Sequence, residues 1–121
     1  MAKYMLLIYS DTKRWADVPE AEQNAVFGDY FTYTNELVEA GVMLGGDPLQ
    51  GDDQTKTVAA DGVVTDGPHA EAAEHLAGYY LLEVPDADVA VHWAAKLPGV
   101  SRGLDRIEVR PIQVLPDMPT T

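Results

Sequence analysis

Two segments of this chain, KYMLLIY (Lys3–Tyr9) and LAGYYLLEV (Leu76–Val84), are rich in β-formers and apolar on both faces. A strand of that kind belongs in the middle of a sheet, covered on both sides, rather than at an edge. Any fold for this chain has to supply two such strands and something to lie against each of their faces.

The intervening segments supply one of the covers. After the polar loop SDTKRWADVP, the recurrence of Phe27, Tyr30, Phe31, Thr34, Leu37 and Val38 at helical spacing predicts a helix from about Glu20 to Ala40. Asp17 followed by Glu20 reads as a capping-box-like start with Pro19 in the first turn, and Gly41 as the left-handed residue that ends the helix. A short strand at Val42–Leu44 and the loop GGDPLQGDD come next. TKTVAADGVVT reads as a hairpin turning on Asp61-Gly62. Beyond Val84, Asp86 caps a second helix with the buried stripe Val89, Ala90, Trp93, Ala94 and Leu97, and Pro98-Gly99 stops it. Arg106–Val114 is the last strand. The length of 121 residues fits one domain, assigned to residues 1–115, with 116–121 as a C-terminal tail.

This order predicts an α+β, ferredoxin-like βαββαβ fold with a hairpin insertion. Its two helices cover one face of the sheet only. The other face is also apolar, and a second copy of the chain is the simplest cover for it. The expected assembly is a homodimer with its sheets face to face, a dimeric α+β barrel.

Charge narrows the partners. Eight basic residues against twenty acidic ones give a net charge of −12. Such a field repels phosphates, so no direct nucleic-acid contact and no anionic membrane contact are expected. The absence of cysteine excludes disulfides, a thiol nucleophile and thiolate metal sites. No apolar run approaches the ~20 residues of a membrane helix, and MLLIY lacks the pattern of a signal peptide. The protein is therefore expected in the cytoplasm. No phosphate loop, nucleophile elbow or dinucleotide fingerprint is present, and no cofactor is expected.

Chemistry-bearing residues concentrate in TDGPHAEAAEHLAGYY (Thr65–Tyr80). Asp66-Gly67-Pro68 is turn chemistry: Asp bonds its own downstream backbone, Gly permits positive φ and Pro fixes the next φ. One reading is purely structural. The other has the turn aim Asp66 and His69 into a pocket as a catalytic pair, the carboxylate orienting the imidazole as a general base. Glu71 and His75 stand at i and i+4, and His69 could join them, but the spacing matches no zinc motif and no metal site is assigned. Tyr79 and Tyr80 point to opposite sheet faces. The pocket candidates are Tyr30, Gly67, Pro68, Glu71, His75, Tyr80 and Arg110. Arg110, a cation on a sheet face, would anchor an anionic ligand. His92, off the apolar stripe, reads as solvated surface.

Taken together, GGDPLQ, TDGPHAEAAEHLAGYYLLEV, ADVAVHWAAKLPG and IEVRPI resemble, in order and spacing, the YCII-related family and its DGPF-domain branch, over Lys3 to Ile112. The resemblance implies the dimeric α+β barrel. It implies enzymatic activity through a His–Asp pair in a pocket, and, for the DGPF branch, an association with extracytoplasmic-function sigma factors. This chain departs from the pattern twice. His69 stands where the branch motif has Phe, and Tyr30 stands at the helix position of the family's histidine, with Glu39 near the position of its acidic partner. Two functions are therefore expected as alternatives. One is a small-molecule binder with acid–base chemistry in the barrel pocket. The other is a non-catalytic regulatory or interaction protein acting with a sigma factor.

Overall fold

The computed structural model describes residues 1–68 and 74–116. Its strands are β1 (Ala2–Asp11), β2 (Met43–Pro48), β3 (Lys56–Val58), β4 (Val64–Asp66), β5 (Glu74–Val84) and β6 (Asp105–Pro111). Its helices are α1 (Thr12–Ala16), α2 (Glu20–Glu39), α3 (Ala87–Ala95) and α4 (Pro98–Ser101). The main sheet has the order β2-β5-β1-β6, antiparallel throughout, and β3-β4 form a separate hairpin. With the hairpin set aside, the order and connections are those of the ferredoxin-like βαββαβ fold.

The two central strands, β1 and β5, are the two segments that are apolar on both faces. They pair along their whole length, Leu6 opposite Tyr80 and Tyr4 opposite Leu82. On one face Tyr4, Leu6, Ile8, Tyr80, Leu82 and Val84 pack beneath Tyr33, Leu37, Ala90 and Leu97 of the helical layer. Leu6, Leu37, Leu82 and Leu97 are fully buried, each side chain contributing about 2–3 kcal/mol over exposure. On the other face Met5, Leu7, Tyr9, Tyr79 and Leu81 are half-buried, and among the described residues no helix covers them. Among the described residues no helix is long and apolar enough to cross a membrane.

Five local expectations need correction. Helix α2 buries Val26, Tyr33 and Leu37, while Phe27, Phe31 and Val38 stay 58%, 71% and 60% exposed. The helix carries two neighbouring apolar stripes, and the one that holds Tyr33 wins. Its ring packs edge-on to both Tyr80 and Trp93, and its hydroxyl donates to the Trp93 carbonyl at 2.8 Å, so burial leaves no polar atom unpaired. SDTKRWADVP is not a loop throughout. The Asp11 carboxylate accepts from the backbone N–H groups of Lys13 and Arg14 and caps α1.

Asp17 closes α1 rather than opening α2. Helix α2 begins after Pro19 with no side-chain cap, and Gln23 instead donates to the carbonyls of Trp15 and Val18. Pro98 does more than stop α3: it sits in the first turn of α4, where its missing N–H costs nothing. The last strand ends at Pro111, short of Val114.

The capping of α3 by Asp86 and its buried Ala90 and Ala94 follow the sequence expectation. The hairpin forms where expected, but its turn holds three residues, Ala60–Gly62, rather than the two of an Asp61-Gly62 turn: the Ala59 N–H donates to the Val63 carbonyl at 2.8 Å, and Asp61 and Gly62 take positive φ, 65° and 75°.

Candidate functional site

Polar side chains converge in two places, one on each side of the sheet. The first lies under the helices. Asp105, at the start of β6, is buried, and its carboxylate accepts three hydrogen bonds from three other elements. Ser10 Oγ donates to Oδ1 at 2.6 Å, Trp15 Nε1 donates to Oδ1 at 3.0 Å, and the Tyr30 hydroxyl donates to Oδ2 at 2.5 Å. The Tyr30 oxygen accepts in turn from the Gly99 N–H at 3.3 Å. Burial, followed by the Asp105 carboxylate, pushes the Tyr30 phenol far above its ordinary value. Only glycine fits at position 99, since a Cβ there would lie 1.7 Å from Asp105 Oδ2.

This cluster joins β1, α1, α2 and β6, and its donors and acceptors are occupied by one another. The acid that meets Tyr30 is Asp105, while Glu39, near the family's acidic position, is exposed at the end of α2. Tyr80 lies on the same sheet face. Thr34 spends its hydroxyl proton on the Tyr30 carbonyl at 2.9 Å, so at 2.7 Å the Tyr80 hydroxyl is the donor to Thr34. Burial raises the Tyr80 phenol as well. Tyr30 and Tyr80 thus belong to the packed layer between helices and sheet.

The second place is a cleft. Strand β2 pairs with β5 only between Gly78 and Leu82, so Glu74–Leu76 have no neighbour from it. Past Pro48 the chain turns away, with the Leu49 N–H donating to the Ala77 carbonyl at 2.7 Å. The space left beside the start of β5 is a cleft of about 590 Å³. Tyr9, Leu49, Pro68 and Leu76 form its apolar walls, and Asp52, Gln54, Thr57, Glu74 and His75 supply polar groups. A bulge at Ala77 of β5, where the register shifts between Ile8 and Tyr9, sets Tyr9 opposite Leu76, so both line the same opening.

The turn after β4 forms another wall. Gly67 has φ 94°, its N–H donates to the Thr55 carbonyl at 2.7 Å, and its carbonyl accepts from Thr57 Oγ1 at 2.7 Å. Those bonds hold Pro68 against the cleft.

One atom in the cleft wall stands out. Nδ1 of His75 is buried and has no hydrogen-bond partner among the described residues. Around it, Glu74 Oε1 lies 3.7 Å from Arg106 Nε. Burial, with Glu108 adding to it and Arg110 opposing it, raises the Tyr9 phenol. Tyr9 therefore keeps its proton, which the Glu108 carboxylate engages.

The sequence candidates are distributed as follows. Pro68 and His75 line the cleft together, and Gly67 shapes the turn beside it. Asp66 is highly exposed and its carboxylate is 2.6 Å from Lys56 Nζ, outside the cleft lining. His69 and Glu71 lie outside the described residues, and with them the His69 half of the expected Asp66–His69 pair. Arg110 stands on the open sheet face opposite Met5, 3.9 Å from Glu108 Oε1, and is not part of the cleft. Among the described residues no three His, Asp or Glu side chains converge to hold a metal ion.

Sequence reasoning did not find Ser10, Trp15 or Asp105, which come together only through the sheet order, nor Tyr9 as a wall residue. The clue for Tyr9 was its place at the end of a strand apolar on both faces, where one face had to open onto something.

The model of the YCII-related domain matches residues 2–113. An uncharacterised protein of Rhizobium meliloti (strain 1021) is 30% identical over 112 residues, covering 90% of each chain. Among solved structures, 5-chloro-2-hydroxyhydroquinone dehydrochlorinase from Burkholderia phenoliruptrix, in complex with 2,5-dihydroxybenzoquinone, is similar at 17% identity and a TM-score of 0.47, over 90% of this chain and 93% of that one.

Proposed function

The chain belongs to the YCII-related family, and on that premise we propose that it binds a small molecule in the cleft beside the start of β5, with His75 meeting the ligand. The observation that carries this reading is that His75 lines the cleft and its buried Nδ1 has no hydrogen-bond partner among the described residues. A buried polar atom without a partner costs about 1–3 kcal/mol, and a ligand that bonds it recovers that cost. An imidazole with a free ring nitrogen can also take or give a proton to a bound molecule. Tyr9, whose phenol stays protonated beside Glu108, adds an aromatic wall to the same opening. The Asp66–His69 pair is the weaker choice for acid–base work, because Asp66 is engaged with Lys56 in solvent.

The uncovered sheet face supports a homodimer as the working form. Met5, Leu7, Tyr79 and Leu81 lie along it without a helix above them, and a second copy would bury them. The test of the binding site is a thermal-shift screen of small molecules against wild type and His75→Ala. Ligands that raise the melting temperature of wild type should fail to do so for the variant. Equal shifts in both proteins would remove His75 from the site.

The net charge of −12 supports a second reading, a non-catalytic protein that acts with an extracytoplasmic-function sigma factor or another basic partner. Its test is capture of such a partner at low salt, with the complex weakening as salt rises. Capture of nothing from a lysate at low salt would count against it.

A further inference from the structure

We propose that the cleft beside β5 takes a small organic cation, a protonated amine or amidine, rather than an anion. This rests on the cleft reading given above and names the chemical class of its ligand. Among the described residues the lining contains two carboxylates, Asp52 and Glu74, and neither lysine nor arginine. Asp53 follows Asp52 in the same exposed 3₁₀ turn at the rim.

The nearest guanidinium, Arg106, is 84% exposed and already lies 3.7 Å from Glu74. Arg110, the residue that would draw an anion, is outside the cleft and beside Glu108. The other described ion pairs engage Arg14, Lys56, Lys96 and Arg102 with acids of their own. An anion entering here would thus meet the Asp52 carboxylate, with the charge of Arg106 already engaged by Glu74.

A cation meets the opposite situation. Asp52 and Glu74 attract it, the field of a molecule carrying net −12 concentrates it at the mouth, and the aromatic ring of Tyr9 offers a surface that cations favour. Leu49, Pro68 and Leu76 accept the apolar remainder of such a molecule. His75 also lines the cleft, and its Nδ1, without a partner among the described residues, would accept from an ammonium N–H brought to it.

The experiment titrates benzylammonium, benzyl alcohol and phenylacetate, three probes of similar shape and different charge, into the nitrogen-labelled full chain at low salt, following the amide signals of His75 and Leu76. Benzylammonium should bind about tenfold more tightly than phenylacetate, with benzyl alcohol between them. Glu74→Gln should shrink that preference to about threefold, and raised salt should shrink it further. Equal affinities, or tighter binding of phenylacetate, would overturn the cation assignment while leaving the cleft in place. If no probe moves the His75 and Leu76 signals, the cleft reading itself fails, and this inference with it.

Discussion

Tyr30 and Asp105 lie 75 positions apart in sequence and meet at 2.5 Å, phenol to carboxylate. The contact ties the long helix α2 to the last strand, and Ser10 and Trp15 bring β1 and α1 to the same carboxylate. Removing one donor leaves the buried acceptor with two. Tyr30→Phe should therefore cost about 1–2 kcal/mol in urea unfolding. Asp105→Ala leaves three donors without an acceptor and should cost about 3 kcal/mol or more. Equal, small effects from both would contradict a shared hub.

The tyrosines set the alkaline limit of the fold. Burial and neighbouring groups raise the phenols of Tyr30 and Tyr33 well above their ordinary value of 10.0. The folded state then holds these protons more tightly than the unfolded chain. Below about pH 10 neither state ionises and the full contribution is present. Above it the unfolded tyrosines ionise first, and stability should fall by about 1.4 kcal/mol per pH unit for each of the two. Urea unfolding between neutral pH and strongly alkaline pH measures the slope. Tyr30→Phe should flatten it by one tyrosine's share, and an unchanged slope would refute the assignment.

Two glycines should respond in opposite ways to alanine. At Gly99 an added Cβ would fall 1.7 Å from Asp105 Oδ2 and 2.8 Å from the Tyr30 hydroxyl oxygen. Gly99→Ala should cost about 3 kcal/mol or more, as overpacking at a buried site does. Gly28 lies inside α2 with nothing within 4 Å of an added Cβ. Gly28→Ala should stabilise by about 0.5–1 kcal/mol through helix propensity. Thermal melts of the two variants side by side distinguish these outcomes.

The uncovered sheet face makes its own prediction. Leu7 sits at its centre, between Tyr79 on β5 and Glu108 on β6. In the proposed homodimer Leu7→Lys places an unpaired charge in the interface. Sedimentation should then show a monomer whose far-ultraviolet circular dichroism matches wild type. A dimer that tolerates this change pairs through some other surface.

The fold was legible because its decisive signals are local. Two strands apolar on both faces had to be central, and β1 and β5 are central; the Asp61-Gly62 turn and the Asp86 cap also announce themselves by residue type. What sequence could not resolve was rotation and long-range pairing. Helix α2 has two apolar stripes about a hundred degrees apart, and periodicity alone does not choose between Phe31 and Tyr33. The choice falls to Tyr80 and Trp93, which meet Tyr33 from other elements. Asp105 is a single acid next to a strand, and its role depends on Ser10, Trp15 and Tyr30 being brought to it by the sheet order. His75 was marked by its type, but the lack of a partner for its Nδ1 among the described residues is a property of packing.

The central claim is that His75 faces a ligand in the cleft beside β5. Native mass spectrometry of freshly purified wild type and His75→Ala tests it most directly. The account predicts a wild-type dimer that carries small-molecule mass, and a variant dimer that has lost it. The same bound mass in both proteins, or bare chains in both, would contradict it.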